Sequence, residues 1–265
     1  MLRARLATAA VAIPLLLALI LVAPAWTFAV FIIVLSVLGV AEYATLAFPS
    51  RPSQGAAAIA LSLPVVLGIA SGDARLIGAG LSSTVIGGLV WLLLVREDFE
   101  DGLRDLGVSL VGIFYVGLLL PHFILVHRID RDGPWLVVFL VAVAMAGDTS
   151  GYFIGRAFGR HKLMPRVSPG KTIEGAVGIV LGSMLAGAVS KLLLLPHWSW
   201  TKVLGVTALL GVIGQLGDLS ESIMKRTFGA KESGQLFPGH GGILDRVDSL
   251  LFPVAFLYYY SVLSG

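Results

Sequence analysis

The sequence predicts an all-α, polytopic integral membrane protein of about nine transmembrane helices with a cytoplasmic N-terminus. Three observations point there. First, 57% of residues are hydrophobic and only 13% charged, whereas soluble domains carry roughly 25% charged residues. Second, apolar runs long enough to cross about 30 Å of hydrocarbon recur along almost the whole chain. Third, lysine and arginine gather in alternate connections. The runs are too long and too continuously apolar for barrel strands, which alternate over roughly ten positions. The chain has no cysteine, which excludes disulfides and thiolate chemistry.

The expected spans are 7–23, 27–48, 56–72, 76–95, 107–126, 134–156, 173–195, 202–225 and 248–263. The first follows a basic head with Arg3 and Arg5. It reads as a retained helix, because its apolar run is long for a cleaved signal and another span follows within a few residues. The third is alanine-rich and contains Pro64, which makes it the weakest helix signal. Trp26, Trp91, Trp135, Trp198 and Trp200 lie near proposed span ends, where interfacial anchors collect.

Orientation follows from lysine and arginine. With the N-terminus inside, 14 of the 19 fall on the cytoplasmic side and 5 outside. The two long basic connections, 156–172 and 226–247, then share the cytoplasmic face. Residues 1–145 read as mostly structural spans. Nearly all chemistry-bearing residues lie in 146–265, which reads as the catalytic region.

Five groups of residues carry that chemistry. Asp148, Tyr152 and Arg156 recur every four residues and share a helix face, as do Gly147, Gly151, Gly155 and Gly159. Asp218, Glu221, Ser222 and Lys225 form a polar stripe on an otherwise apolar helix. Carboxylates one turn apart suit a divalent cation, and a lysine one turn on suits a phosphate. The glycine-rich PGHGG around His240, with Gly241 and Gly242, can turn sharply and bring backbone N–H groups to an anion. Asp245, Arg246 and Asp248 follow at the start of the last span. The loop SPGKT adds Ser168, Lys171 and Thr172. It is not a nucleotide-binding P-loop, because Pro165 stands where the first glycine is required. Acids that hold metal beside cations that hold phosphate form the general recipe for phosphoryl or nucleotidyl transfer. Each group also admits a plainer reading, as interhelical ion pairs or contacts with anionic lipid heads.

The run from Ser222 through Lys231-Glu-Ser-Gly to His-Gly-Gly-Ile-Leu-Asp-Arg-Val-Asp248, 27 positions long, closely resembles the signature of the phosphatidate cytidylyltransferase family, or CDP-diacylglycerol synthases. Gly147-Asp148, Gly151-Tyr152 and the segment Ser168–Gly175 resemble it too. Two positions depart from the family pattern: Glu232 replaces an aspartate, and Gly170 often corresponds to a second lysine. The resemblance implies transfer of CMP from CTP to phosphatidic acid, giving CDP-diacylglycerol and pyrophosphate. It implies Mg²⁺, with K⁺ as candidate second cation, and a homodimer in the bacterial inner membrane with its site facing the cytoplasm. By position, Asp218 and Asp245 match the central metal-binding acids, and Glu221, Asp248 and Asp148 are expected beside them. Asp218, Asp245, Lys225, Arg246 and Asp148 are the expected catalytic set. Lys171, Thr172, Ser168, Ser222, Arg226, Lys231, His240, Gly241 and Gly242 are expected to bind substrate. Nucleic acid is not an expected partner. The rival readings are transfer to another membrane lipid phosphate and an ion-coupled transporter.

Overall fold

The computed structural model describes residues 2–95, 98–234 and 241–264. Its helices follow the expected spans closely. They are α1 (Leu2–Leu21), α2 (Ala25–Ala47), α3 (Pro52–Ser71) and α4 (Ala74–Val95), then α5 (Phe99–Gly112), a π-helical segment (Ile113–Leu118) and α6 (His122–His127), then α7 (Gly133–Phe158), α8 (Ile173–Leu193), α9 (Trp200–Thr227) and α10 (Leu244–Ser264). Among the described residues, 8 spans are long and apolar enough to cross a membrane, with Phe99–His127 counted as one; α1 adds the shorter apolar stretch Ala12–Leu21. Many large apolar side chains, Leu93, Leu94 and Leu185 among them, point outward, as they must in a protein solvated by lipid.

Three local outcomes differ from the sequence expectation. The fifth span starts at Phe99, inside the stretch read as a polar connection. Asp98 caps it by accepting from Glu100 N and Asp101 N, and Glu100 and Asp101 sit in the first turn, where the helix dipole favours acids. The span is interrupted before α6, whose N-cap is Pro121; proline supplies no backbone N–H to continue the ladder. The loop expected at 156–172 folds into an antiparallel hairpin, β1 (Lys162–Met164) with β2 (Ser168–Thr172), so the fold is helical with one small two-stranded sheet. Pro64, in contrast, is carried within a continuous α3.

Small residues set the spacing of the helices that carry the site. A Cβ on Gly151 of α7 would fall 2.3 Å from Ile179 Cγ1 of α8. One on Gly217 of α9 would fall 2.6 Å from the Asp248 carbonyl oxygen of α10. The glycines thus let α10 lie against α9 closely enough for carboxylates from both to meet. The Tyr115 hydroxyl, from the π-helical segment, donates to the Gly217 carbonyl at 3.2 Å and fixes the same stretch from the other side. The end of α9 meets the hairpin connection: Arg226 Nε donates to the Val167 carbonyl at 3.3 Å.

Candidate active site

The polar stripe on α9 is the centre of the site. Asp218 and Glu221 lie one turn apart, and Asp248 arrives from α10. One carboxylate oxygen from each of the three lies within 4.8 Å of the others. Glu221 is only 1% exposed. Among the described residues its Oε1 has no hydrogen-bond partner, and its Oε2 stands 2.5 Å from Lys225 Nζ. A buried carboxylate oxygen left unpaired is costly unless something else meets it. Three carboxylates converging with a bare oxygen fit a hard cation such as Mg²⁺, which takes oxygen ligands. Two lysines border the cluster. Lys171 of β2 pairs with Asp218 at 2.6 Å, and Lys225 pairs with Glu221 and with Asp245, each at 2.5 Å.

Asp245 adjoins this trio, sharing the Lys225 ammonium with Glu221. Its Oδ1 meets Lys225, while its Oδ2 accepts from Ser233 N at 3.0 Å, Ser233 Oγ at 2.8 Å and Gly242 N at 3.0 Å. Expected as one of two central metal ligands, it is occupied on both oxygens by the protein. Asp148 is close by on α7, where its Oδ2 accepts from Ser249 Oγ at 3.0 Å.

Two cavities meet at Asp148. One, of about 410 Å³, runs between α1, α2, α6, α7 and α10. Its wall is apolar, with Leu16, Ile20, Phe28 and Ile32, and at one end it is lined by Asp148, Asp245, Arg246 and Asp248. The other, of about 510 Å³, lies between α7, the hairpin, α8 and α9. It is lined by Asp148, Tyr152, Arg156, Ser168, Lys171 and Asp218. The fourfold face read from α7 is therefore real, and Arg156 donates to the Tyr152 hydroxyl at 3.0 Å along it.

Other expected residues take supporting positions. Thr172 is buried, and its hydroxyl caps α8 by accepting from Gly175 N at 3.1 Å. Arg226 donates to the Val167 and Ala230 carbonyls, bracing the loops. Ser222 is half-buried on α9, and Lys231 is exposed, as is Glu232. Gly241 adopts a φ of +77°, in the left-handed region that only glycine enters freely. His240 lies outside the described residues.

The sequence reading passed over one residue. Glu42, on α2, accepts from Ser233 Oγ at 2.6 Å, Ile243 N at 2.8 Å and Leu244 N at 3.0 Å. An acid within an otherwise apolar span was the available signal.

Fold and site together define a multi-helix membrane protein with a carboxylate and lysine centre at the end of its bundle. The chain belongs to the cytidylyltransferase family, whose model matches residues 3–264. It is similar to the phosphatidate cytidylyltransferase of Bacillus subtilis (strain 168), 39% identical over 172 residues, which are 64% of this chain and 63% of that protein. The phosphatidate cytidylyltransferase of Brucella abortus biovar 1 (strain 9-941) is 41% identical over 157 residues, 59% of this chain and 58% of its own length. That of Staphylococcus epidermidis (strain ATCC 12228 / FDA PCI 1200) is 39% identical over 169 residues, 64% of this chain and 63% of its own. The matched stretches thus span less than two thirds of these relatives.

Proposed function

We propose that this protein transfers CMP from CTP to phosphatidic acid, releasing pyrophosphate and forming CDP-diacylglycerol. The observation that carries this reading is the converging trio Asp218, Glu221 and Asp248, with Glu221 buried, set beside Lys171 and Lys225 near the two cavities that share Asp148. The apolar chamber suits acyl chains, and the chamber beside the hairpin suits a nucleotide. A phosphate oxygen of the lipid forms a bond to the α-phosphorus of CTP, and the bond from that phosphorus to the pyrophosphate oxygen breaks. The nucleophile is already anionic near neutral pH, so a strong base is hardly needed. The protein's task is alignment and charge stabilisation.

Asp218, Glu221 and Asp248 would hold Mg²⁺, which when bound offsets the charge on the phosphate oxygens. Asp148 faces both chambers and would orient the centre or hold a second cation such as K⁺. Lys171 and Lys225 are held in place by Asp218, Glu221 and Asp245, and would share themselves with incoming phosphates. Arg246, at the end of the apolar chamber, would meet the lipid phosphate, with Ser168 on the nucleotide side. Thr172, Arg226 and Gly242 serve these groups by fixing the hairpin and loop. Residues 146–265 form the catalytic region in this reading, with the site on the cytoplasmic face of a cell inner membrane and the chain acting as a homodimer.

The test is incubation of the purified protein with labelled CTP, Mg²⁺ and a panel of lipid phosphates. The expected result is pyrophosphate release and a labelled lipid that both require phosphatidic acid. A labelled lipid from another lipid phosphate alone would change the acceptor. No pyrophosphate with any lipid would overturn the reaction and favour an ion-coupled transporter.

A further inference from the structure

Glu42 is remote from the site in sequence and adjacent to it in space. It lies near the end of α2, in the half of the chain whose other spans carry little chemistry. Its carboxylate lies against bare backbone: a Cβ on Gly242 would come 2.1 Å from Oε1, and one on Gly234 would come 2.7 Å from Oε2. Two of the three groups it receives, Ile243 N and Leu244 N, belong to the entry into α10, where a helix has N–H groups with no partner of its own. The third, the Ser233 hydroxyl, lies on the preceding segment. One side chain therefore binds two stretches of chain that approach the catalytic helix separately.

Asp245 completes the arrangement from the other side. It accepts from Ser233 and Gly242 and meets Lys225. The Ser233 hydroxyl lies between both acids, 2.6 Å from Glu42 Oε1 and 2.8 Å from Asp245 Oδ2. Asp248 follows Asp245 by nearly one turn of the same helix, so what fixes the first turn also fixes where Asp248 meets Asp218 and Glu221.

We propose that Glu42 is a positioning residue for the transfer site: it holds Ser233 and the first turn of α10 in register, and so sets the placement of Asp245 and Asp248. This rests on the cytidylyl-transfer reading. It makes α2 a working part of the site.

The test compares wild type, Glu42→Gln and Ser233→Ala in the purified full-length protein. Glutamine keeps the size of glutamate but replaces one acceptor oxygen with an amide NH2, itself a donor, that opposes the N–H and O–H donors. Glu42→Gln is expected to lower kcat about tenfold or more while KM for CTP stays within about twofold, because the chamber beside the hairpin is lined by α7, the hairpin, α8 and α9 and not by α10. Hydrogen exchange is the second readout. Amides of Gly242–Asp248 should exchange faster in Glu42→Gln, while those of α7 and α8 should not change. Ser233→Ala should lower kcat as well, and the double variant should lose less than the product of the two single losses. Unchanged kcat in an active enzyme, or unchanged exchange at Gly242–Asp248, would overturn the proposal. So would faster exchange across all helices, since that is general destabilisation. Inactive wild type would overturn the transfer reading, while the exchange experiment would still decide whether Glu42 holds α10.

Discussion

Polar side chains among α2–α5 are paired off locally, whereas the acids of α9 and α10 gather around one point. In the first region Gln54 Nε2 donates to Ser109 Oγ at 3.2 Å, Thr84 donates to the Leu61 carbonyl at 2.8 Å, and Arg51 pairs with Asp105. In the second, three carboxylates converge within 4.8 Å and Glu221 Oε1 meets no donor among the described residues. Both regions are built from similarly apolar helices, so the difference is not one of solvation class. Satisfied polar groups hold helices together. Like charges gathered at one point and left partly unmet are unstable alone, and so mark a place where a ligand or ion completes the set. Glu42 crosses the division, because it belongs by sequence to the first region and by contact to the second.

The largest effect should follow from removing a charge from the trio. Asp218→Asn, Glu221→Gln and Asp248→Asn should each lower turnover by about 100-fold or more, on the scale seen when a centre that stabilises developing charge is broken. The melting temperature of Asp248→Asn should hold or rise, because it relieves repulsion among three neighbouring acids, whereas Asp218→Asn and Glu221→Gln also give up their pairs with Lys171 and Lys225 and should melt lower. Turnover assays paired with thermal melts in detergent check both halves. A variant that kept wild-type turnover with Mg²⁺ would remove that residue from the centre.

Asp245→Asn should differ in kind. This change breaks the pair with Lys225, whose side chain is only 13% exposed against 15% for Asp245. Truncating one member of a buried ion pair typically costs roughly 3–5 kcal/mol, and the Glu221 contact left to Lys225 should reduce that cost. Activity and melting temperature should therefore fall together, unlike in Asp248→Asn. A loss of activity with an unchanged melt would instead place Asp245 among the groups that meet the cation.

That contrast shows what a sequence can and cannot carry. The stripe Asp218, Glu221 and Lys225 was legible because all three sit on one helix, and helical spacing fixes their common face. The spans were legible from hydropathy for a similar reason. Asp245 and Asp248, three residues apart at a helix start, were both read as metal-binding, with Asp245 the central one and Asp248 beside it. The structure separates them, because Asp245 faces the donors of Ser233 and Gly242 while Asp248 faces α9. That distinction depends on a loop folding back, which no local pattern encodes. The same holds for Lys171 against Asp218 and for Glu42 against α10, all contacts between segments distant in the chain. The hairpin was missed because SPGKT, with its proline and glycine, lacks the alternation that marks a strand.

The smallest effect should come from the first region. Arg51 bridges α3 to α5 through Asp105 and lies over the Phe48 ring, its guanidinium carbon 5.6 Å from the centroid. Arg51→Met removes the charge and keeps much of the length. Because the Arg51 side chain is 44% exposed, solvent screens part of the pair and limits the loss. The melting temperature should fall modestly, and kcat should stay within about twofold of wild type, the range expected where no transition-state contact is lost. Glu42→Gln, changed in the same half of the chain, should do the reverse and lower kcat far more than the melt. If Arg51→Met lowered turnover as strongly as Glu42→Gln, the N-terminal helices would act on the site as one body, and the special place given to Glu42 would be lost.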